Sequence, residues 1–286
     1  MGVDASVARL LLGARELGAS YESTLTIGRQ RFYLAQREFA LELRRAGISS
    51  AKRLAGELLV SAGGYAEPFF QHLGAVEIDS LDVSDYEGAT LLHDLNEPIP
   101  TNWSRQYTAV LDSGSLEHVF DFPAAIRTCM RLVALGGHFI GAYPAHNQLG
   151  HGFYQFSPEL FFRVFDQSGG FEIARLYLVE RSFYTHWYRV IDPKVLGRRF
   201  QIANRVRTGL CVIARRTGDL TPYVPQQSDY TAVWDRGVDS SPTLRRMPAW
   251  LESIYLELAV KWTTRMRATA KRVDAVADMR ADNWLP

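Results

Sequence analysis

Apolar residues in the first 216 positions occur both as short continuous runs and as longer stretches with helical spacing. Continuous runs bounded by Gly, Pro, Asn or Asp are typical of buried strands, and apolar positions three or four apart are typical of helices. Because the two kinds alternate, the pattern predicts an α/β domain with a Rossmann-like, doubly wound, mostly parallel sheet and helices on both faces. Seven strands are predicted, over 23–28, 75–82, 90–93, 107–111, 138–143, 171–180 and 208–215, the last two as an antiparallel finishing pair. The predicted helices cover 5–18, 31–46, 51–60, 66–73, 122–135 and 157–165.

The composition changes after Arg216 and suggests three parts. Residues 1–216 are predicted to form the α/β domain, and 217–247, rich in Thr, Pro, Gly and Ser, a linker or a loop that wraps it. Residues 248–286 are predicted to be a C-terminal helical extension, whose second half is basic. A basic amphipathic helix suits either a solvated face, a homo-oligomer contact or contact with an anionic membrane surface.

Bulk composition narrows the function classes. The 32 Lys and Arg residues nearly balance the 31 Asp and Glu residues, so no nucleic-acid partner is expected. Cys129 and Cys211 both lie in apolar stretches, which predicts two buried thiols and neither a disulfide framework nor a zinc site. No apolar run reaches the length of a transmembrane segment and no targeting signal is evident, so a cytoplasmic location is expected.

Candidate ligand-binding residues follow the predicted strands, because an open parallel sheet binds ligands beyond the carboxyl ends of its strands. Gly28 closes the first strand, and either Asp79 or Asp82 closes the second, with Asp82 preferred. Further polar residues follow the third and fourth strands, in Asp94-Leu95-Asn96, Asp112-Ser113-Gly114 and Glu117-His118.

Two segments carry a resemblance to a known family. The stretch from Asp112 to Arg127 contains Leu116-Glu117-His118-Val119, and Arg131-Leu-Val-Ala-Leu-Gly-Gly137 follows it. Together they resemble the region after the fourth strand in class I S-adenosylmethionine-dependent methyltransferases, and the resemblance extends from about Thr24 to Arg215. It implies that S-adenosylmethionine is the cofactor. It also implies the cofactor-binding residues, which are Gly28, Arg29, Gln30, Asp82, Asp94, Leu95, Asn96, Asp112, Ser113 and Gly114.

One feature departs from the family pattern. The family's first strand leads into a glycine-rich loop, whereas this chain has Gly28-Arg29-Gln30-Arg31-Phe32 with one glycine. A single glycine suffices if Arg29 or Gln30 binds the methionine carboxylate. The alternative is a catalytically inactive relative that serves as a binding or scaffold subunit. The same lack of glycines argues against a dinucleotide-binding oxidoreductase.

Methyl transfer to a hydroxyl benefits from a base, and histidine is suited to that role near neutral pH. His151 and His118 are the candidate bases, with Glu117 beside them. No ligand spacing calls for a metal ion; a divalent metal held by Asp112 and a nearby carboxylate or amide is the minority alternative.

Aromatic and polar residues in two loops suggest an acceptor pocket. The loop from Pro144 to Phe156 offers His146, Phe153 and Tyr154, and the segment 181–189 offers Tyr184 and Trp187. Aromatic rings stack on planar or hydroxylated small molecules. The expected function is therefore O-methylation of a small-molecule acceptor, and a saccharide or glycolipid precursor is the preferred class.

Overall fold

The computed structural model describes residues 2–100, 103, 105–181, 185–196, 200, 204–222, 224–228, 230, 231 and the backbone of 270–273. The strands are β1 (Gly2–Val3), β2 (Ser23–Ile27), β3 (Arg31–Phe32), β4 (Glu77–Asp82), β5 (Leu91–Leu92), β6 (Tyr107–Ser113), β7 (Val133–His146), β8 (Phe171–Arg181), β9 (His186–Val190), β10 (Arg207–Arg216) and β11 (Ala270–Val273). The α-helices are α1 (Ala5–Glu16), α2 (Gln36–Arg45), α3 (Ala51–Ser61), α4 (Glu67–Leu73), α5 (Phe122–Leu132), α6 (Pro158–Val164) and α7 (Pro193–Leu196).

A nine-stranded sheet organises the chain, in the order β11-β9-β8-β10-β7-β6-β2-β4-β5. The five strands from β5 to β7 pair in parallel, and β10 pairs antiparallel with both β7 and β8. The predicted doubly wound sheet is confirmed: among its seven predicted strands most pairings are parallel, and β8 and β10 form the antiparallel finishing pair. All seven predicted strands are present, and β9 and β11 extend the sheet beyond them.

Helices cover both faces of the sheet, as the pattern predicted. On one face, α1 to α4 enclose a cluster in which the rings of Phe32, Phe39 and Phe69 pack edge to face, with centroids 5.0–6.0 Å apart. On the other face, α5 and α6 pack on apolar residues of the same strands. Capping side chains set the helix starts: Asp121 accepts the Ala124 N–H at 3.0 Å, and Ser157 accepts the Leu160 N–H at 3.4 Å.

Three element boundaries differ from the predictions. The helix predicted over 31–46 begins only at Gln36, because residues 31 and 32 pair in parallel with β1. The helix predicted over 122–135 ends at Leu132, and the next residue already belongs to β7. Residues 270–273, predicted as helix, pair antiparallel with β9 as an edge strand, where the free backbone groups of β9 offer hydrogen bonds. The rest of the predicted extension lies outside the described residues.

Candidate functional site

A cavity of about 490 Å³ opens at the carboxyl ends of β2, β4, β5 and β6. Small-molecule sites of roughly 300–1,000 Å³ are usual in proteins, and open parallel sheets place them at this edge. Twelve residues line it: Ile27, Gly28, Leu81, Asp82, Val83, His93, Asp94, Leu95, Asn96, Ser115, His118 and Val119.

Gly28 brings the backbone to the cavity where β2 ends. Its φ of +68° is in the region that favours glycine, and its N–H donates to the Leu81 carbonyl at 2.7 Å. A side chain here would strain this turn. The one glycine of the loop therefore gives the backbone close access to a ligand.

Arg29 and Gln30 turn away from this cavity and line a separate one of about 260 Å³. The Arg29 Nε donates to Glu67 at 2.7 Å, and its guanidinium lies 3.8 Å from the centre of the Tyr65 ring. The Gln30 amide donates to the carbonyls of Ile27 and Gly28 at 2.8 and 3.0 Å. Both side chains are therefore held by protein groups, and neither lines the large cavity.

The two aspartates of β4 occupy different surroundings. Asp82 lines the large cavity, where its carboxylate accepts the Val83 N–H at 2.7 Å. Asp79 lines the smaller cavity and accepts hydrogen bonds from Tyr107 at 2.8 Å and Thr90 at 3.0 Å. It also pairs with Arg105 at 2.9 Å. Of the two alternatives, only Asp82 lines the large cavity.

The turn after β5 adds a rigid polar edge to the cavity. The Asp94 carboxylate accepts the Asn96 backbone N–H at 2.9 Å and its side-chain amide at 2.8 Å, and these bonds lower the pKa of Asp94. The Asn96 Oδ1 accepts the Asp121 N–H at 3.0 Å, which fixes the turn to the start of α5. Leu95 is buried between these polar neighbours. The turn thus offers carboxylate, amide and apolar groups in one place.

Asp112 is fully buried and shapes the loop after β6 instead of lining the cavity. Its carboxylate accepts the N–H groups of Ser115 at 2.9 Å and Leu116 at 3.2 Å. Burial raises the pKa of Asp112 to about 6, although these hydrogen bonds oppose the shift. Ser113 donates to the Gly2 carbonyl at 3.0 Å, and Gly114 has a φ of +89°. These three predicted cofactor residues therefore position the loop that carries Ser115 and His118.

The three predicted catalytic residues come together beside the cavity. The His151 Nε2 lies 3.4 Å from the Glu117 Oε1, and the rings of His118 and His151 have centroids 5.2 Å apart. Burial, and then the charge of Asp112, raises the pKa of Glu117 to about 8. Burial and the nearby His151 lower the pKa of His118. Because His118 lines the cavity, the cluster can meet a molecule bound there.

Glycine and backbone hydrogen bonds hold His151 against this loop. The Glu117 carbonyl accepts the N–H of Phe153 at 2.7 Å and of Tyr154 at 3.3 Å. Gly152 has a φ of +70°, and a Cβ there would lie 2.7 Å from the Glu117 carbonyl oxygen. Gly152 therefore permits a close approach that any other residue would disturb.

The predicted acceptor-binding residues separate into different environments. Phe153 is 67% exposed and packs edge to face on Phe120, and Tyr154 donates to the Phe120 carbonyl at 2.6 Å. His146 lies half-buried at the end of β7, opposite Thr208. Tyr184 lies outside the described residues.

Trp187, a predicted acceptor-binding residue, lies within the packed part of the sheet. It is 1% exposed in β9 and packs on Tyr177, with Arg9 over its ring at 4.9 Å. It belongs to the core on the α1 face of the sheet and is not among the residues that line the cavity. A buried aromatic residue at an inward strand position is a packing element.

Six cavity residues were not among the sequence candidates. His93 is half-buried, with its Nε2 3.1 Å from the Glu97 carbonyl, and Ser115 donates to the Ile27 carbonyl at 2.8 Å. Their positions in the sequence could have indicated both, because His93 directly precedes Asp94 and Ser115 directly follows Gly114. The apolar members are Ile27, Leu81, Val83 and Val119.

In the part of the chain that the structure describes, no helix is long and apolar enough to span a membrane. Both cysteines are buried and free, as expected.

No family model and no curated protein matches this sequence. Similar solved structures include an S-adenosylmethionine-dependent methyltransferase from Mesorhizobium loti, with 14% identity over 74% of this chain and 98% of that chain and a TM-score of 0.40. The N-methyltransferase NodS from Bradyrhizobium japonicum, in complex with S-adenosylhomocysteine, has 11% identity over 73% and 85% of the two chains and a TM-score of 0.35. A branched-chain polyamine synthase from Thermus thermophilus has 15% identity over 78% and 61% and a TM-score of 0.35. Similarity at this level does not decide function, and the fold is assigned from the strand order.

Proposed function

We propose that this chain is a methyltransferase that uses S-adenosylmethionine and acts on a small-molecule acceptor. The observation that carries the proposal is the position of Asp82 in the cavity, between the Gly28 backbone and the Asp94–Asn96 turn. A carboxylate at the end of β4, such as that of Asp82, can accept hydrogen bonds from both hydroxyls of a ribose. The resemblance around Leu116–Val119 supports this proposal.

The cavity fits such a cofactor in size and in chemistry. It combines apolar walls from Ile27, Leu81 and Val119 with a few polar groups, the usual composition of a nucleoside site. The Asp94–Asn96 turn offers an amide and a carboxylate to an adenine ring. When bound, S-adenosylmethionine supplies a methyl group on a positively charged sulfur.

The chain's own residues orient the acceptor and take up its proton. In-line transfer depends on alignment, and well-oriented reactants recover roughly 7–11 kcal/mol of the barrier. As the C–S bond breaks and the C–O bond forms, the acceptor hydroxyl must lose its proton. His118 lines the cavity and His151 lies beside it, so either imidazole is placed to accept that proton.

A saccharide or a glycolipid precursor is the proposed acceptor class. The exposed ring of Phe153, packed on Phe120, provides an apolar platform, and each of these rings lies two residues along the chain from one histidine of the pair. Such a platform suits the apolar face of a sugar, and the largely exposed His151 can hydrogen-bond one of its hydroxyls. A panel of sugars and phenols tested with labelled cofactor would identify the acceptor. Transfer to nitrogen acceptors alone would overturn the oxygen assignment.

Calorimetry with S-adenosylhomocysteine tests cofactor binding directly. Asp82→Asn should weaken binding about tenfold or more, because a charge-assisted hydrogen bond contributes on the order of 1.5–3 kcal/mol. Asp79→Asn is the matched control on the same strand and should leave the affinity unchanged. Absence of binding by the unaltered chain at millimolar ligand would overturn the proposal.

A second candidate is a cofactor-free binding or scaffold subunit. It is favoured by one observation: Arg29 and Gln30 bond to protein groups, so neither is directed at the methionine part of a cofactor. In that case Asp82→Asn and Asp94→Asn would leave the biological activity intact, whereas a methyltransferase would lose it.

A further inference from the structure

The cluster of Glu117, His118 and His151 contains an unused ligand atom. The Glu117 side chain is 1% exposed, and its Oε2 has no hydrogen-bond partner among the described residues. A buried carboxylate oxygen without a donor is costly, so its presence calls for an explanation. One ligand atom from each of the three side chains lies within 4.8 Å of the other two.

We propose that Glu117, His118 and His151 bind a divalent transition-metal ion at the edge of the large cavity. Two imidazoles and one carboxylate are a donor set that suits zinc, iron, cobalt or manganese. Bond lengths of about 2.0–2.2 Å place neighbouring ligand atoms roughly 3.0–3.5 Å apart. The Glu117 Oε1 and His151 Nε2 are already 3.4 Å apart, and the His151 side chain is 55% exposed and free to adjust.

The loops are built to bring these three residues together. At Gly114, a Cβ would lie 3.2 Å from the Glu117 Oε1, so a larger residue would crowd the carboxylate. Gly152 lets the chain next to His151 touch the Glu117 backbone. Both glycines have positive φ, and the buried Asp112 fixes the turn that contains Gly114 by accepting the N–H groups of Ser115 and Leu116. Separate stretches of chain thus meet at one point.

The metal would change how the acceptor is activated, and this part rests on the proposed function. Three protein ligands leave coordination positions for water or for oxygen atoms of an acceptor. With metal bound, His118 and His151 would serve as ligands, and the ion would lower the pKa of a coordinated acceptor hydroxyl, whose proton would pass to solvent water instead of to an imidazole. An acceptor with two adjacent oxygens could occupy two positions at once. We therefore expect vicinal diols or catechol-like compounds among the preferred acceptors.

Metal binding can be measured without any activity. Tag-free protein, dialysed against a chelator, is titrated with Mn²⁺ while electron paramagnetic resonance follows the free ion. We expect one site per chain, and at least a tenfold weaker affinity in each of Glu117→Gln, His118→Gln and His151→Gln. His72→Gln, on α4 and remote from the cluster, is the control and should bind normally. His151→Gln is the decisive variant if Glu117→Gln fails to fold, because His151 is largely exposed.

Two outcomes would overturn the proposal: no saturable binding by the unaltered chain, or equal affinity in His151→Gln and the control. S-adenosylhomocysteine calorimetry on the same samples separates the two proposals. If S-adenosylhomocysteine binds and Mn²⁺ does not, the metal site is wrong and the methyltransferase proposal stands. If Mn²⁺ binds and S-adenosylhomocysteine does not, the metal site stands and the cofactor proposal fails.

Discussion

His138 should make the stability of this fold depend on pH. It is 4% exposed in β7, and its Nδ1 has no hydrogen-bond partner within the described part of the chain. Burial, and then the charge of Arg215 on the neighbouring strand, lowers the pKa of His138 to about 4. A histidine in the unfolded chain has a pKa of about 6.5. Between pH 4 and pH 6.5 the imidazole is therefore mostly protonated in the unfolded chain and mostly neutral in the folded chain.

The sign and size of the effect follow from this difference. The stabilisation is fully present above pH 6.5 and is lost as the pH falls towards 4. Each pKa unit of difference between the folded and unfolded states corresponds to about 1.36 kcal/mol, so the free energy of unfolding falls by about 2 kcal/mol between pH 7.5 and pH 5.0. It approaches about 3 kcal/mol at pH 4.

Urea unfolding at pH 7.5 and pH 5.0 measures this contribution. His138→Gln cannot take up the proton, so its free energy of unfolding should fall by about 2 kcal/mol less than that of the unaltered chain over this range. Other titrating groups are common to both proteins and cancel in the comparison. The same pH dependence in both proteins would show that His138 does not cause this loss of stability.

The packing assignments lead to two further predictions. Trp187→Ala should lower the free energy of unfolding by about 3–5 kcal/mol, as for other buried tryptophans. Its affinity for S-adenosylhomocysteine should be unchanged at temperatures where the variant is folded. Weakened binding with unchanged stability would show that Trp187 contacts the ligand. Gly152→Ala should weaken Mn²⁺ binding at least tenfold while circular dichroism stays the same, because its Cβ would lie 2.7 Å from the Glu117 carbonyl oxygen. Unchanged metal affinity in that variant would show that the loop need not approach so closely.

Much of the fold could be predicted from local patterns. Apolar runs that end at glycine or aspartate marked the parallel strands, because a buried strand must bury both faces and its polar residues collect at its ends. β9 was missed because residues 181–189 are rich in aromatic and polar groups and were interpreted as a loop. The alternation in His186–Val190 and its β-favouring residues were the available signal. β1 and β3 contain two residues each, too few for any periodicity.

The candidate site was predictable where it depends on strand ends and not where it depends on side-chain direction. Asp82, Asp94 and His118 line the cavity because each follows a parallel strand. Arg29 also follows a strand but turns to Glu67, a partner 38 residues further along the chain. The meeting of Glu117 with His151 likewise joins distant segments, and local sequence contains no signal for such a contact.

A crystal structure of the chain soaked with S-adenosylhomocysteine tests the proposed cofactor site. We expect ligand density in the 490 Å³ cavity, with the ribose hydroxyls on Asp82 and the adenine beside the Asp94–Asn96 turn. An empty cavity at millimolar ligand, or a ligand bound elsewhere, would contradict it.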